Sequence, residues 1–310
     1  MTLFTSSAAY ALATKESSRP AIALVTGGKS GIGKALAERI ASFPFIDQVL
    51  AVSRSIRDSD VADTPKITAL AADVTTEEGR AKIVETVQQL CRGEKPQGQL
   101  RFLVHGAGVI DPIKSVLDVT PEELRNAMNV NCEAPLFLTT ALYPYMAKDN
   151  DDDGVAGRVL HVSSGAAHGA PPVGWSCYGI SKAAFYQSFK VLEREFREKK
   201  GGRVVVGSFK PGVVDTTMQG TIRSSSADDM PFVQGFRNMK DKAVRGNVSA
   251  ARPPPKGALD SPENVGFFAE YLLLGTTDEE FANKDDPNEW DIRNQSLYPK
   301  WIEPSNLPRD

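Results

Sequence analysis

The chain has little sulfur and little histidine. Its 310 residues include three cysteines, Cys91, Cys132 and Cys177, and three histidines, His105, His161 and His168. Cysteines so few and so far apart offer neither a disulfide framework nor a zinc knuckle. The histidines have no metal-ligand spacing, so no metal is expected. No run approaches the ~20 apolar residues of a membrane span, so no membrane partner is expected either. There is no basic block: 36 Lys and Arg against 39 Asp and Glu leave a net charge of −3, which gives nucleic acid nothing to bind. Hydrophobic residues at 41% and charged residues at 24% are ordinary for a globular protein and exclude a largely disordered chain. Residues 1–18 lack the basic start and apolar core of a secretory signal, and the first arginine is Arg19. They read as a flexible, solvated tail of a cytoplasmic protein, with organelle targeting by that tail left open.

What the chain has is alternation. Apolar runs at Ala21–Thr26, Gln48–Ser53, Ile67–Ala72, Arg101–Gly106, Gly157–Ser164 and Arg203–Phe209 read as strands buried on both faces, with a short last strand near Trp290–Ile292. Between them run helical patterns, several with start signals. Thr75-Thr-Glu-Glu78 and Thr120-Pro-Glu-Glu123 read as capping boxes, and Ser261-Pro-Glu caps a late helix. Phe185, Phe189, Leu192 and Phe196 mark the inner face of a long helix. This rhythm predicts one α/β, Rossmann-type, doubly wound domain over residues 19–295, with a mostly parallel sheet of roughly seven strands flanked by helices. Residues 213–260 read as a substrate lid, irregular over Met218–Asp260, and residues 296–310 as a tail without regular structure.

The turn after the first strand is Thr26-Gly-Gly-Lys-Ser-Gly-Ile-Gly33. Glycines where a strand meets a helix let the backbone approach a pyrophosphate at the helix N-terminus. Gly27, Lys29, Ser30, Gly31, Ile32 and Gly33 are therefore candidate dinucleotide contacts. The second strand ends in Ser53-Arg54-Ser55, with no acid before Asp58. A carboxylate there would bind a ribose 2′-hydroxyl, whereas an arginine is a fork suited to a 2′-phosphate. Lys29 adds a second positive charge, so the expected cofactor is NADP(H).

Tyr178 and Lys182 stand one helical turn apart at the start of the long helix, which brings an ammonium near a phenol. A cation there should pull the phenol below its usual value near ~10. Upstream, Ser163-Ser164 ends the fifth strand, and Asn131 lies in the helix before that strand.

These motifs together resemble the short-chain dehydrogenase/reductase family over nearly the whole body of the chain. TGGKSGIG corresponds to its cofactor loop, Asp73-Val74 to its adenine-contacting pair, and His105-Gly106-Ala107-Gly108 to its NNAG, with histidine in first place. Pro211-Gly212, Val214 and Thr216 fall in its PGxxxT segment beside the nicotinamide. The resemblance implies hydride transfer between nicotinamide and a carbonyl carbon. Tyr178 would be the proton donor and Ser164 would orient the oxygen. Lys182 would lower the tyrosine pKa and bind the ribose, and Asn131 would hold a water in the relay. The Ser164–Tyr178 interval is one residue longer than the family's usual one, which places the extra residue in the Gly169–Gly174 loop and leaves Ser163 as an alternative hydroxyl.

Two local features resemble the sepiapterin reductase branch, which includes benzil-type diketone reductases. Trp175 lies just before the tyrosine, and Pro211-Gly-Val-Val-Asp-Thr-Thr-Met-Gln219 is similar to the branch's PGxxDTxMQ. Trp175 and Met218 are the expected substrate contacts, with Asp291 matching the aspartate that anchors a pterin. The implied activity is an NADPH-dependent carbonyl reductase acting on a small ketone or diketone, working as a homodimer. The alternatives are an NADP-dependent alcohol dehydrogenase for a sugar or steroid, and a non-catalytic NADP-binding sensor or scaffold.

Overall fold

The computed structural model describes residues 20–92, 98–147, 156–243, 249–282 and 289–307. The tail expected over residues 1–18 lies outside them. Seven parallel strands form one sheet in the order β3-β2-β1-β4-β5-β6-β7. They are β1 (Ala21–Thr26), β2 (Gln48–Ser53), β3 (Ile67–Ala71), β4 (Gln99–His105), β5 (Gly157–Val162), β6 (Val204–Lys210) and β7 (Trp290–Asp291). Strands such as AIALVT and QVLAVS are apolar at nearly every position because helices cover both sheet faces. Strand order reverses between β1 and β4, and that reversal opens a crevice at the carboxyl ends of the strands.

One face carries α1 (Gly31–Ala41) and, later in the chain, Pro262–Leu274, whose Val265, Phe268 and Leu272 are buried with Leu36 and Ile40. The other carries α2 (Glu77–Cys91), α3 (Pro121–Met128), α4 (Ala134–Met146) and α5 (Ser176–Lys200). On α5 the four expected inner residues, Phe185, Phe189, Leu192 and Phe196, are all buried. The box at Thr120 forms as expected, with the Thr120 hydroxyl accepting from the Glu123 amide and the Glu123 carboxylate accepting from the Thr120 amide. The cap of α2 is displaced by one residue. Thr76 accepts from the Gly79 amide, while the Thr75 hydroxyl and amide both donate to Asp73 Oδ1. Asp73 has claimed the residue that the pattern assigned to the helix.

Two expectations of irregular chain are corrected. The Met218–Asp260 stretch contains helices α6 (Thr217–Ser224) and α7 (Val233–Asp241). Thr216 caps α6, and burial of Ile222, Val233 and Phe236 against Trp175 compensates for weak helix propensity. After α8 (Pro262–Leu274) and α9 (Asp278–Ala282), the final segment forms α10 (Tyr298–Trp301) between two short helical turns. It is anchored because Trp301 and Ile302 are buried, with the Trp301 ring edge-on to Phe268 at 5.2 Å.

Candidate active site

Two connected cavities lie at the carboxyl end of the sheet. The outer one, about 450 Å³, runs from the glycine loop to the end of β2. Gly27, Lys29, Ser30, Gly31, Ile32, Gly33, Ser53, Arg54, Asp73, Val74, Gly106, Ala107 and Gly108 all line it. The inner one, about 290 Å³, is walled by Ser164, Trp175, Tyr178, Lys182, Pro211, Gly212, Val214, Thr216 and Met218. Ile32, Gly108, Thr216 and Met218 belong to both, so the cavities form one continuous groove.

The loop geometry suits a pyrophosphate. Gly27 has φ +73°, and a Cβ there would come within 2.9 Å of the Gly106 carbonyl. A Cβ on Gly33 would lie 2.2 Å from the Gly27 carbonyl oxygen, so only glycine lets α1 start this close to β1. Ser30 does not cap α1 with its side chain, and the first turn holds no acid. Its amides and the positive end of its dipole are thus left to an anion. Thr26 Oγ1 accepts from both the Gly106 and Ala107 amides at 3.2 Å, which ties the end of β1 to the end of β4. Lys29 Nζ donates to the Ser55 carbonyl at 2.6 Å and lies 3.7 Å from Asp60. Both cations therefore sit at the end of β2, with Arg54 exposed. Burial pushes Asp73 up, but the Thr75 hydroxyl and amide and the Arg54 charge outweigh it and hold the carboxyl below its ordinary value.

At the inner end, α5 starts so that Tyr178 and Lys182 share one face, both buried. Tyr178 and Ser164 both wall the inner cavity, and Ser164 Oγ accepts from the Ala166 amide at 3.1 Å. The alternative hydroxyl, Ser163, has no partner among the described residues. Burial pushes the Tyr178 phenol up, opposed by the Ser164 hydroxyl. The expected acidifying cation acts elsewhere: Lys182 Nζ donates to the Val162 carbonyl at 3.0 Å and lies 6.0 Å from the centre of the Tyr178 ring. Burial pulls Lys182 itself down to about 8, against the charge of Glu289. In this arrangement the phenol keeps its proton at neutral pH, the state a proton donor needs.

Asn131 sits in a π-helical turn, Asn129–Glu133, between α3 and α4. Its Nδ2 donates to the Val109 carbonyl and to Ser181 Oγ, and its Oδ1 accepts from the Val109 amide, each at 2.9 Å. Both amide hydrogens are used to fasten the loop after β4 to α5, and the second lone pair of Oδ1 is what the side chain keeps for a water. Asp291 is not among the residues of the inner cavity. Its carboxylate accepts from Nε and NH2 of Arg293, at 3.2 and 3.1 Å, and lies 3.4 Å from Lys210 Nζ. Those two cations line the cavity in its place.

A sequence profile described as "short chain dehydrogenase" matches residues 21–227. The chain belongs to the short-chain dehydrogenase family. This short-chain dehydrogenase is 30% identical over 257 residues to a benzil reductase ((S)-benzoin forming) of Bacillus subtilis, covering 82% of this chain and 93% of the relative. It is 32% identical over 220 residues to the sepiapterin reductase of Meriones unguiculatus, covering 67% and 79%. Among solved structures, the KRED1-Pglu enzyme superposes with a TM-score of 0.64 at 28% identity, covering 84% of this chain and 97% of that one. The short-chain dehydrogenase is thus an oxidoreductase fold built for a nicotinamide cofactor, in the branch that the Trp175 and PGxxDTxMQ features suggested.

Sequence reasoning assigned no role to several residues of this short-chain dehydrogenase's site. Ile110 and Ile222 wall the inner cavity, as does Gln219, the last residue of the quoted PGxxDTxMQ motif. His168, on the loop after Ser164, meets the buried Glu289 at 2.7 Å, and Glu289 also accepts a short hydrogen bond of 2.5 Å from Ser208. No signal in the sequence pairs residues from three such distant segments. Among the described residues no group of His, Cys, Asp or Glu has the makings of a metal site, and no helix is long and apolar enough to cross a membrane.

Proposed function

We propose that this protein is an NADPH-dependent carbonyl reductase whose substrate is a small, flat ketone or diketone of the benzil kind. The observation that carries the choice of cofactor is the end of β2, where Arg54 and Lys29 line the outer cavity and Ser53 stands in place of an acid. A 2′-phosphate meets charge-assisted donors there, whereas a bare ribose finds no carboxylate. When bound, the nicotinamide supplies the two electrons and the hydrogen that the carbonyl carbon gains. Ser164 holds the carbonyl oxygen, and Tyr178 gives it a proton as charge develops. Lys182, fixed by the Val162 carbonyl, supports the ribose side, and Asn131 keeps the loop after β4 in register with α5. Helices α6 and α7 form the outer wall with Met218, Ile222 and Phe236 and exclude water. The inner walls are largely apolar, and Asp291 is already paired with Arg293 and Lys210. That supports an aryl diketone over a pterin, which would need a free carboxylate. The reading extends to a homodimer.

The test is NADPH oxidation with benzil, sepiapterin, simple quinones and short ketones. Benzil is expected to be reduced and sepiapterin to be the poorer substrate. Tyr178→Phe should lower turnover by at least about a hundredfold, the low end of what general acid catalysis contributes, while NADPH still binds by fluorescence titration. No reduction of any carbonyl would refute the reading.

A further inference from the structure

The loop between Ser164 and Tyr178 forms one side of the inner cavity through Ala170, Pro171 and Pro172. Little in its own sequence holds it there. Residues 165–174 read Gly-Ala-Ala-His-Gly-Ala-Pro-Pro-Val-Gly, so His168 is their one polar side chain. Pro171 and Pro172 have no N–H to bond with. The chain turns at Gly169 and Gly174, at φ +68° and +90°, on either side of the piece that faces the cavity. The far corner is fixed, because the Gly174 carbonyl accepts from the Lys114 amide at 3.1 Å. At the near corner a Cβ on Gly169 would meet nothing within 4 Å, so that corner depends on what His168 holds.

What it holds is buried. His168 Nε2 pairs with Glu289 Oε2 at 2.7 Å, and the Glu289 side chain is 0% exposed. Ser208 Oγ donates to the other carboxylate oxygen at 2.5 Å. Glu289 directly precedes β7, whose Trp290 and Asp291 are in register with Phe209 and Lys210 of β6. Lys210, Pro211 and Gly212 are another part of the same cavity wall. The His168 ring also lies edge-on to Tyr186 of α5 at 4.4 Å. One side chain thus ties the loop wall to the strand that carries the wall beside it. The His168 amide donates to the Gly165 carbonyl at 3.2 Å, within the short turn that Ser164 Oγ caps. The tie therefore bears on Ser164 as well as on the loop wall. Any donor could satisfy a buried carboxylate; this one comes from the loop that faces the substrate.

With the carbonyl oxygen held at Ser164 and Tyr178 and the hydride arriving from one side, the reduced face depends on which carbon substituent lies against which wall. We propose that the His168–Glu289 pair is a positioning latch that holds the Ala170–Pro172 wall and so fixes the handedness of the alcohol formed. This rests on the carbonyl reductase reading above and adds to it the residues that set the stereochemistry. Neither His168 nor Glu289 lines the inner cavity; both act through the wall.

The test is chiral chromatography, at low conversion, of the alcohol formed from benzil, or from any prochiral ketone that the protein reduces in its place. His168→Phe keeps a ring against Tyr186 and loses the hydrogen bond, whereas His168→Gln keeps an N–H donor on a side chain of similar reach. His168→Phe should lower the ratio of the two enantiomers about tenfold, equivalent to about 1.4 kcal/mol, and His168→Gln should recover most of it. Melting temperature and NADPH fluorescence confirm that each variant is folded and loads cofactor. A purely structural pair would lower the melting temperature and leave the ratio alone. A racemic wild-type product, a His168→Phe ratio within about twofold of wild type, or equal losses in both variants overturns the latch and leaves the reductase reading intact. Oxidation of NADPH with no carbonyl compound overturns both.

Discussion

On the proposed reading, one exposed guanidinium at the end of β2, that of Arg54, separates two cofactors that differ by a single phosphate. Arg54→Asp replaces a donor fork with a carboxylate, which repels a 2′-phosphate and accepts from a 2′-hydroxyl. Lost charge-assisted bonds of about 1.5–3 kcal/mol predict a fall of tenfold or more in kcat/KM with NADPH and a gain with NADH. Steady-state rates with both cofactors check this, and an unchanged ratio would put the recognition on Lys29. A second residue-scale expectation concerns acid. His105 and His161 are paired across β4 and β5 with rings 5.3 Å apart. Burial, then the charge of Lys182, pushes His105 down to about 3. Burial likewise holds His161 well below its usual range, and both of its ring nitrogens are unbonded. The folded values are the lower ones, so between about pH 3 and the ordinary ~6.5 the unfolded chain binds more protons. Stability must then fall as pH drops through that window, by up to about 1.4 kcal/mol per unit for each histidine. His105→Asn and His161→Phe should each flatten the dependence of the urea midpoint on pH between 7 and 4.5. Slopes parallel to wild type would show that neither imidazole is kept neutral by the fold.

Element by element, the strands do least alone and most through what their ends hold. Arg158 on β5 is 2% exposed and reaches the C-terminal end of α8. Its NH1 donates to the Leu272 and Leu273 carbonyls at 3.1 and 3.0 Å, and NH2 to the Thr276 carbonyl and Asp278, both at 2.8 Å. It stacks over Phe281 at 4.8 Å. This is a helix C-cap supplied from the sheet. Arg158→Met should destabilise the fold by on the order of 3 kcal/mol, since it leaves buried carbonyls without donors. Arg158→Lys should recover only part, because an ammonium cannot fork to two helices. Thermal unfolding of the three proteins decides it. The sheet was legible in the sequence because buried parallel strands are unbroken apolar runs, and the cofactor loop because its glycines follow one. Arg158 was not, since a charged residue within such a run reveals nothing of a partner more than a hundred residues on. The helices α6 and α7 escaped notice because Gly, Ser and Pro around them mask two short amphipathic segments. The shift of the cap from Thr75 to Thr76 is not legible, because the competitor for Thr75, Asp73, lies outside the helix pattern. The pairing of Asp291 with Arg293 and Lys210 is not legible, because neither cation has a place in a motif. The Tyr178–Lys182 face and Ser164 were legible because helical spacing and strand ends fix where they lie; that Lys182 is spent on a carbonyl depends on packing alone.

At the scale of the whole molecule, the helices on one side of the sheet carry apolar residues on their outer faces as well. Phe137 on α4 is 54% exposed, and on α5 Ile180 and Val191 are 52% and 45% exposed. Ile180 and Val191 are separated by three full helical turns, so they share one face of α5. The inner faces of α4 and α5 cover the sheet together through Leu138, Leu142, Phe189 and Leu192, and the Tyr143 and Phe196 rings meet at 4.7 Å between the two helices. The outer faces are therefore neighbours too, and a second copy related by a two-fold axis would bury the same residues on both sides. That surface is the one the homodimer reading requires. Since α5 also carries Tyr178 and Lys182 at its start, pairing there would stiffen the helix that bears the proton donor without supplying a residue to the cavity. Light scattering on the purified chain should give twice 33.5 kDa. Phe137→Glu combined with Val191→Glu should halve it, by placing like charges against one another across the axis, while each separated chain keeps its own cofactor groove and still binds NADPH. A double variant that stays dimeric would move the contact to another face, and a wild-type monomer would remove the dimer altogether.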